Sequence, residues 1–365
     1  MPSAGSGPRR SSIPDSPDPD TPVILAEAPP GPAEYRVGCA SWLDRALIAS
    51  GRFYPRGRMS AEDRLRWYAR FFDCVEVNAT YYALPSPRNA LLWVSRTPPR
   101  FLFHVKAYSL MTGHHPRVET LPPDVRLMLP DDVPLRPRGE VDRDRFPAEA
   151  LARCFELFRE GVAPLAAAGK LGYVLFQLAP WVRYDERVLE YLASLPRRLP
   201  GWTAAVEFRN ASWIPERTDE VLRFLADHGL LFVGVDAPWQ PFIPAATVPG
   251  WVTFRLHGQN VTGWLAQLAG KEPSVAEKYD YLYGPDEIRT IARRTQAFGG
   301  HARRVAVTFN NNNQDYPIQN ALDLKELLGL ATPGLDTLPV RRPARRRPGA
   351  TAAPDLFPAE PDPPD

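Results

Sequence analysis

The sequence predicts an α/β protein of the TIM type, a closed (β/α)8 barrel flanked by disordered proline-rich tails. Three observations predict it. Eight short β-like runs recur along the middle of the 365-residue chain, most of them separated by segments of helical period. Several runs alternate charged and apolar residues, so each has two unlike faces. No glycine fingerprint follows the first run, which argues against an open dinucleotide-binding sheet.

In order, the runs are residues 35–40, 74–80, 101–107, 171–179, 203–210, 230–236, 251–258 and 304–311. Between the first two, "SAEDRLRWYARFF" opens with Ser60 and Asp63 at capping-box spacing; "SPRNALLWVSRT" then puts Pro87 near a helix start. Further amphipathic segments are 147–168, 185–195, 215–228, 285–298 and 318–328. The connection over 108–146 is too long for an ordinary loop and is expected to be a functional lid or a mobile insertion.

Composition sets the outer limits. With 44% hydrophobic and 11% aromatic residues the chain can bury a sizeable core. Residues 1–33 carry nine prolines among Ser, Gly and Asp, and 332–365 are again rich in Pro, Ala, Arg and Asp. Neither end can offset its ordering entropy, so the barrel is expected over 34–331. A net charge of +2 gives no global pull toward nucleic acid or anionic membrane. Arg341, Arg342, Arg345, Arg346 and Arg347 in the second tail are the place for a weak nucleic-acid contact, or simply a solubilising stretch. Cys39, Cys74 and Cys154 are odd in number and lack metal-ligand spacing, so the expectation is a reducing cytoplasm and no cofactor-binding cysteine cluster. The only apolar run near the start, "VILA", is too short for a signal core or membrane span.

Strand parity then assigns directions. In "AVEFRN", Val206 and Phe208 are expected to pack outward on the helices, turning Glu207 and Arg209 inward at a strand end, where barrel enzymes carry their chemistry. The same reading turns Glu76, Asn78, His104, Lys106, Gln177, Asp236, Arg255, His257, Thr308 and Asn310 inward. Three carboxylates, three cations and two imidazoles would then share one cup, and burying them without use would demand extensive mutual pairing.

These residues also carry a resemblance. "GCASW", "FYP", "VEVNATYYALPS", "FHVK", "LFQLAP", "AVEFRNASW", "RLHG" and "FNNNN" resemble the motifs of the DUF72, or YecE-like, family, from about residue 36 to residue 328. The resemblance implies a TIM-barrel-like fold without an established reaction. It maps family motifs onto Trp42, Glu76, Asn78, Tyr82, Lys106, Gln177, Glu207, Arg209, Arg255, His257 and Asn310. The family's Thr-His after the third strand is here "TGHH", which leaves His114 and His115 as alternatives.

Several chemistries fit such a cup. Glu76, Glu207, Asp236 and His257 are ligand types for manganese, magnesium or zinc, but the interleaved cations argue for carboxylates that are already paired. Glycoside hydrolysis by Glu76 and Glu207 turns on a carboxylate separation that sequence does not give. The expectation is a metal-independent lyase or hydrolase for a small anionic or sugar-like compound. Glu207, His257 and Glu76 are its expected catalytic groups, with Lys106, Arg209 and Arg255 as anion clamps. A barrel that binds a nucleotide or nucleic acid without turnover is the competing class. For Glu207 with Arg209 the structural alternative is an ion pair bracing the barrel mouth, and for His257 a satisfied interior histidine. Trp42, Tyr81 and Tyr82 are expected partly in the core and partly in a pocket wall, where a ring could stack on a sugar or base.

Overall fold

The computed structural model describes residues 21–29, 31–55, 59–263, 275–333 and 338. Its centre is a closed barrel of eight parallel strands. They are β1 (Glu34–Ala40), β2 (Cys74–Val77), β3 (Leu102–Lys106), β4 (Leu171–Gln177), β5 (Ala204–Glu207), β6 (Leu231–Asp236), β7 (Trp251–Leu256) and β8 (Arg304–Phe309). Pairing runs in chain order and closes with β8 on β1, so the sheet has no free edge. The expected fold is therefore present.

Around it lie α1 (Ala61–Tyr68), α2 (Pro87–Ser95), α3 (Ala148–Ala167), α4 (Glu186–Ala193), α5 (Thr218–Asp227), α6 (Pro285–Gln296) and α7 (Tyr316–Leu327). The helix starts follow local chemistry. Ser60 accepts the Asp63 N–H at 3.0 Å and donates to its carboxylate at 2.9 Å. Ser86 accepts the Asn89 N–H at 3.2 Å, with Pro87 in the first turn, where a missing N–H costs nothing. No helix joins β6 to β7; that connection carries a two-residue strand, Ala245–Ala246.

Two apolar layers follow from strand alternation. Val75, Val77, Phe103, Val105, Val206, Phe232, Phe254 and Val307 belong to the layer beneath the helices. Cys74, Leu102, Tyr173, Leu175, Ala205, Leu231, Val233, Val235, Trp251 and Ala306 form the cluster inside the barrel. Deleting one outer ring such as Phe103, fully buried, would cost about 3–5 kcal/mol. All three cysteines are free and buried, and burial raises their thiol pKa values, so they stay protonated.

The structure differs from expectation in two places. Val23–Ile24 pairs in parallel with Ala245–Ala246, and Val23 is buried, so ordered chain begins ahead of the boundary expected at 33. The connection before α3 is not a loose insertion. It holds short helical turns at Ser109–Thr112, Val118–Thr120, Pro123–Arg126 and Arg143–Arg145, and it buries Leu110, Met111, Val125 and Val141. The basic stretch at 341–347 lies outside the described residues. Among the described residues no helix is long and apolar enough to cross a membrane.

Candidate functional site

Arg255 organises the mouth of the barrel. It projects inward from β7, fully buried, and reaches a carboxylate on each of two other strands. Its Nε and Nη2 donate to the two oxygens of Glu76 on β2 at 2.8 and 2.7 Å, a bidentate fork, and its Nη1 donates to Glu207 Oε2 on β5. The Nε of Arg209 donates to the other oxygen of Glu207 at 3.0 Å. Burial alone would raise Glu207, but Arg255, His257 and Arg209 outweigh it and hold the carboxyl well below the usual carboxylate range. Glu76 thus has both oxygens committed to one guanidinium, and Glu207 stays charged at neutral pH.

His257 sits one residue past β7, with its Nε2 3.5 Å from Glu207 Oε1 and 3.4 Å from Arg255 Nη1. Its tautomer follows from neighbours. Asn312 Nδ2 donates to Asn310 Oδ1 at 3.1 Å, so the Asn310 amide nitrogen faces His257 Nδ1 at 2.9 Å and must donate to it. Nδ1 is then the lone-pair nitrogen and Nε2 carries the proton toward Glu207. Burial lowers His257 to about 3 despite Glu207, so the ring is neutral at pH 7. The expected acid–base pair is adjacent in space, yet both members are already committed.

Lys106 is in a different position. Its Nζ lies 4.7 Å from the centre of the Tyr81 ring, and it makes no ion pair or hydrogen bond among the described residues. Burial, with Arg255 and Arg209 nearby, lowers it to about 7 against the opposing pull of Glu76 and Glu207. Among the described residues only the Nε of Arg209 is engaged by a carboxylate, and its guanidinium lies 5.5 Å from the Trp239 ring.

His114 closes the cup from the long connection. Its ring meets Tyr81 edge-on at 5.0 Å and Trp181 at 5.5 Å. Thr112 Oγ1 donates its one proton to the Ser109 carbonyl at 3.0 Å, so it must accept from His114 Nδ1 at 2.8 Å. That leaves His114 Nε2 unprotonated. Burial lowers His114 to about 3, aided by Lys106 and Arg209, which places it beside the cup cations. His115 is held instead by the loop: it stacks on Trp181 at 5.1 Å and accepts the Arg143 N–H at 3.1 Å. Of the two histidines in "TGHH", His114 is the one at the cup.

The inward-facing residues expected at the mouth include Glu76, Asn78, Lys106, Gln177, Glu207, Arg209, Arg255, His257 and Asn310. Gln177 is buried in register with Glu207, and Asn78 Oδ1 is buried without a hydrogen-bond partner. Tyr82 stands at 66% exposure beside Tyr81, on the rim. One orientation and two placements are corrected. Asp236 is on the outer face: Val235 belongs to the interior cluster, and Asp236 accepts from Gln259 of the following connection. Trp42 turns to the helix layer, edge-on to Trp93 of α2 at 6.0 Å, with Trp93 stacked on outward Phe103. His104 does face inward but lies deeper, stacked on Tyr173 at 4.0 Å and edge-on to Trp251. Gly172 leaves room for its ring, since a Cβ there would meet His104 Nδ1 at 2.3 Å. Burial lowers His104 to about 3, so it is a neutral core group.

Trp181 and Trp239 were not among the expected binding set. They come from connections, and no strand parity marks them.

A family model described as "Protein of unknown function DUF72" matches residues 36–346. The chain belongs to the DUF72 family. It is 28% identical over 305 residues to the UPF0759 protein YunF of Bacillus subtilis strain 168, spanning 82% of this chain and 96% of that one. A crystal structure of a DUF72 protein from Enterococcus faecalis V583 aligns with a TM-score of 0.62 at 24% identity, covering 82% of this chain and 99% of that chain. One from Thermotoga maritima MSB8 aligns at 0.61 and 25%, covering 81% and 99%. The DUF72 barrel is thus shared along nearly the full length of these relatives.

Proposed function

We propose that this DUF72 cup binds a small anionic or sugar-like compound and acts on it as a lyase or hydrolase without a metal. One observation carries the reading: cations exceed carboxylates at the mouth. With Asp236 on the outer face, Lys106, Arg209 and Arg255 face, among the described residues, the two carboxylates of Glu76 and Glu207, whose oxygens Arg255 and Arg209 already hold. The surplus among the described residues is a Lys106 with no carboxylate partner and the Nη groups of Arg209, a match for a carboxylate or phosphate. The same commitment leaves the two glutamates poor metal ligands. Tyr81, Trp181 and Trp239 supply flat apolar faces around the charge, as recognition of a ring or carbon skeleton requires. In this reading Arg255, Glu76, Glu207, His257 and Asn310 hold the frame. Proton transfer falls to His114 and Lys106 rather than to the expected Glu207 and His257.

Thermal-shift titration with phosphate, 2-oxo acids and sugar phosphates tests it. Binding anions should raise the melting temperature of the wild type. Arg209→Ala should reduce that shift and Arg345→Ala should not. The absence of any Arg209-dependent shift would remove the proposal.

A further inference from the structure

We propose that Lys106 is the imine-forming amine of the cup, condensing with the carbonyl carbon of a 2-oxo acid or a similar carbonyl-bearing anion. This rests on the anion-binding reading above and names the substrate class within it.

The chain's use of lysine is the first ground. Of its 44 Lys and Arg residues only five are lysine: Lys106, Lys170, Lys271, Lys278 and Lys325. Where a cation alone serves, this sequence almost always has arginine. The buried lysines outside the cup are there for a compact ammonium with several short bonds. Lys170 Nζ donates to the Val94 and Thr97 carbonyls and to Thr97 Oγ1 at 2.7–2.9 Å. Lys325 Nζ donates to the Phe71 carbonyl at 2.7 Å and meets Asp73 at 3.1 Å. Lys106 has no such partner among the described residues, although two glutamates line the same cup.

Geometry is the second ground. An amine over the Tyr81 face, beside arginines that can hold an anionic group, is placed to meet a carbonyl carbon attached to that group. His114, whose Nε2 is the unprotonated nitrogen, meets the same tyrosine ring edge-on at 5.0 Å. The groups facing Lys106 are Arg255, Arg209, Glu76, Glu207, Tyr81 and His114, and together they leave a substantial neutral fraction at pH 7.

The step balances without an external reagent. The Nζ lone pair forms the C–N bond while the carbonyl π pair moves to oxygen. His114 Nε2 takes one proton from the nitrogen and returns it to that oxygen. A second proton follows the same route as the C–O bond breaks, so water leaves with both amine hydrogens and a C=N bond remains. After the imine nitrogen takes up one proton from solvent, the resulting iminium can accept the electron pair of a neighbouring C–C bond as a neutral enamine, which is lyase chemistry.

The test uses the full chain with sodium cyanoborohydride, glyoxylate as the anionic probe and propionaldehyde as the uncharged one, followed by peptide mapping. Lys106 should be reductively labelled at pH 7 about a hundredfold faster than Lys278, because an ordinary lysine is almost wholly protonated there. Glyoxylate should outpace propionaldehyde at Lys106, and Arg209→Ala should erase that preference. Labelling at Lys106 no faster than at Lys278 with either probe overturns the imine proposal, even where anions still raise the melting temperature. Fast labelling by propionaldehyde with no advantage for glyoxylate upholds the amine and overturns the anion reading. Lys106→Arg should keep anion-induced stabilisation and lose the label; retention of the label elsewhere in the cup would also overturn the assignment.

Discussion

At Arg255 one guanidinium serves two buried carboxylates, so its loss leaves both uncompensated. Arg255→Met should cost about 3–5 kcal/mol in urea unfolding at pH 7, whereas the combined Glu76→Gln, Glu207→Gln, Arg255→Met change should recover much of that loss. A single-variant cost below about 1 kcal/mol would mean the three are not coupled. The pH behaviour has a definite sign. Glu207 is depressed in the folded state, so its stabilisation is present above the ordinary glutamate range and lost as pH falls through it toward the folded value. Lys106 is also depressed, to about 7, so the unfolded chain binds the extra proton between there and about 10.4 and stability rises with pH across that window. Lys106→Met should therefore flatten the profile over pH 7–10 and raise stability at pH 7 by about 1–3 kcal/mol, discounted because water reaches the half-buried amine. A Lys106→Met protein less stable than wild type at pH 7 would contradict the assigned environment. Parity alone was enough to turn Glu207, Arg255 and His257 inward from the sequence. It failed at Asp236 because "LFVGVD" is apolar on both faces and offers no alternation to anchor the count. Trp42 was mapped by the resemblance alone, and Ser41, with a positive φ of 84° just past the strand end, breaks the strand's period before it. For His104 parity gave the right face but not the depth, since alternation carries no information about layers.

The connection between β3 and α3 determines where His114 sits. Its anchor is Thr112, whose carbonyl accepts the Ala179 N–H at 3.1 Å beyond β4, and the turn passes through Gly113 at φ 80°. A Cβ there would meet Val182 at 2.7 Å in a backbone region that disfavours side chains. Gly113→Ala should cost about 1–2 kcal/mol and weaken anion binding by displacing His114, while Gly139→Ala, also at positive φ but with open space around it, should leave binding unchanged. Equal effects from the two would detach the turn from the site. At the end of β6, Asp236→Asn should not alter the anion-induced melting shift, because the carboxyl lies on the face away from the cup. Burial raises Asp236 to about 6, so its charge costs stability as pH rises from the ordinary aspartate range up to that value, and the advantage of the asparagine should be complete above pH 6. These connections were the least legible part of the chain: without a hydrophobic period, neither the turns over 108–146 nor the rim aromatics Trp181 and Trp239 had a signal to read.

For the molecule as a whole, closure of the sheet makes the barrel one cooperative unit, and the strand at Val23–Ile24 docks beside it in a separate two-stranded sheet with Ala245–Ala246. A chain starting at residue 21 should unfold at the full-length midpoint; one starting at residue 34 should lose about 1–3 kcal/mol, because Val23 leaves its buried site and Ala245–Ala246 loses its partner. Identical midpoints for both would restore the boundary expected from composition. The architecture was legible because eight alternating runs leave few other ways to bury both faces of a sheet. Across the mouth, the ties from Arg255 join β7 to β2 and β5, strands separated by others around the circumference. A substitution at any one of the three positions is penalised by the other two, so sequence drift is blocked one step at a time. Over a lineage Glu76, Glu207 and Arg255 should be inherited or replaced as a set, leaving the surrounding rim free to vary from one descendant to the next.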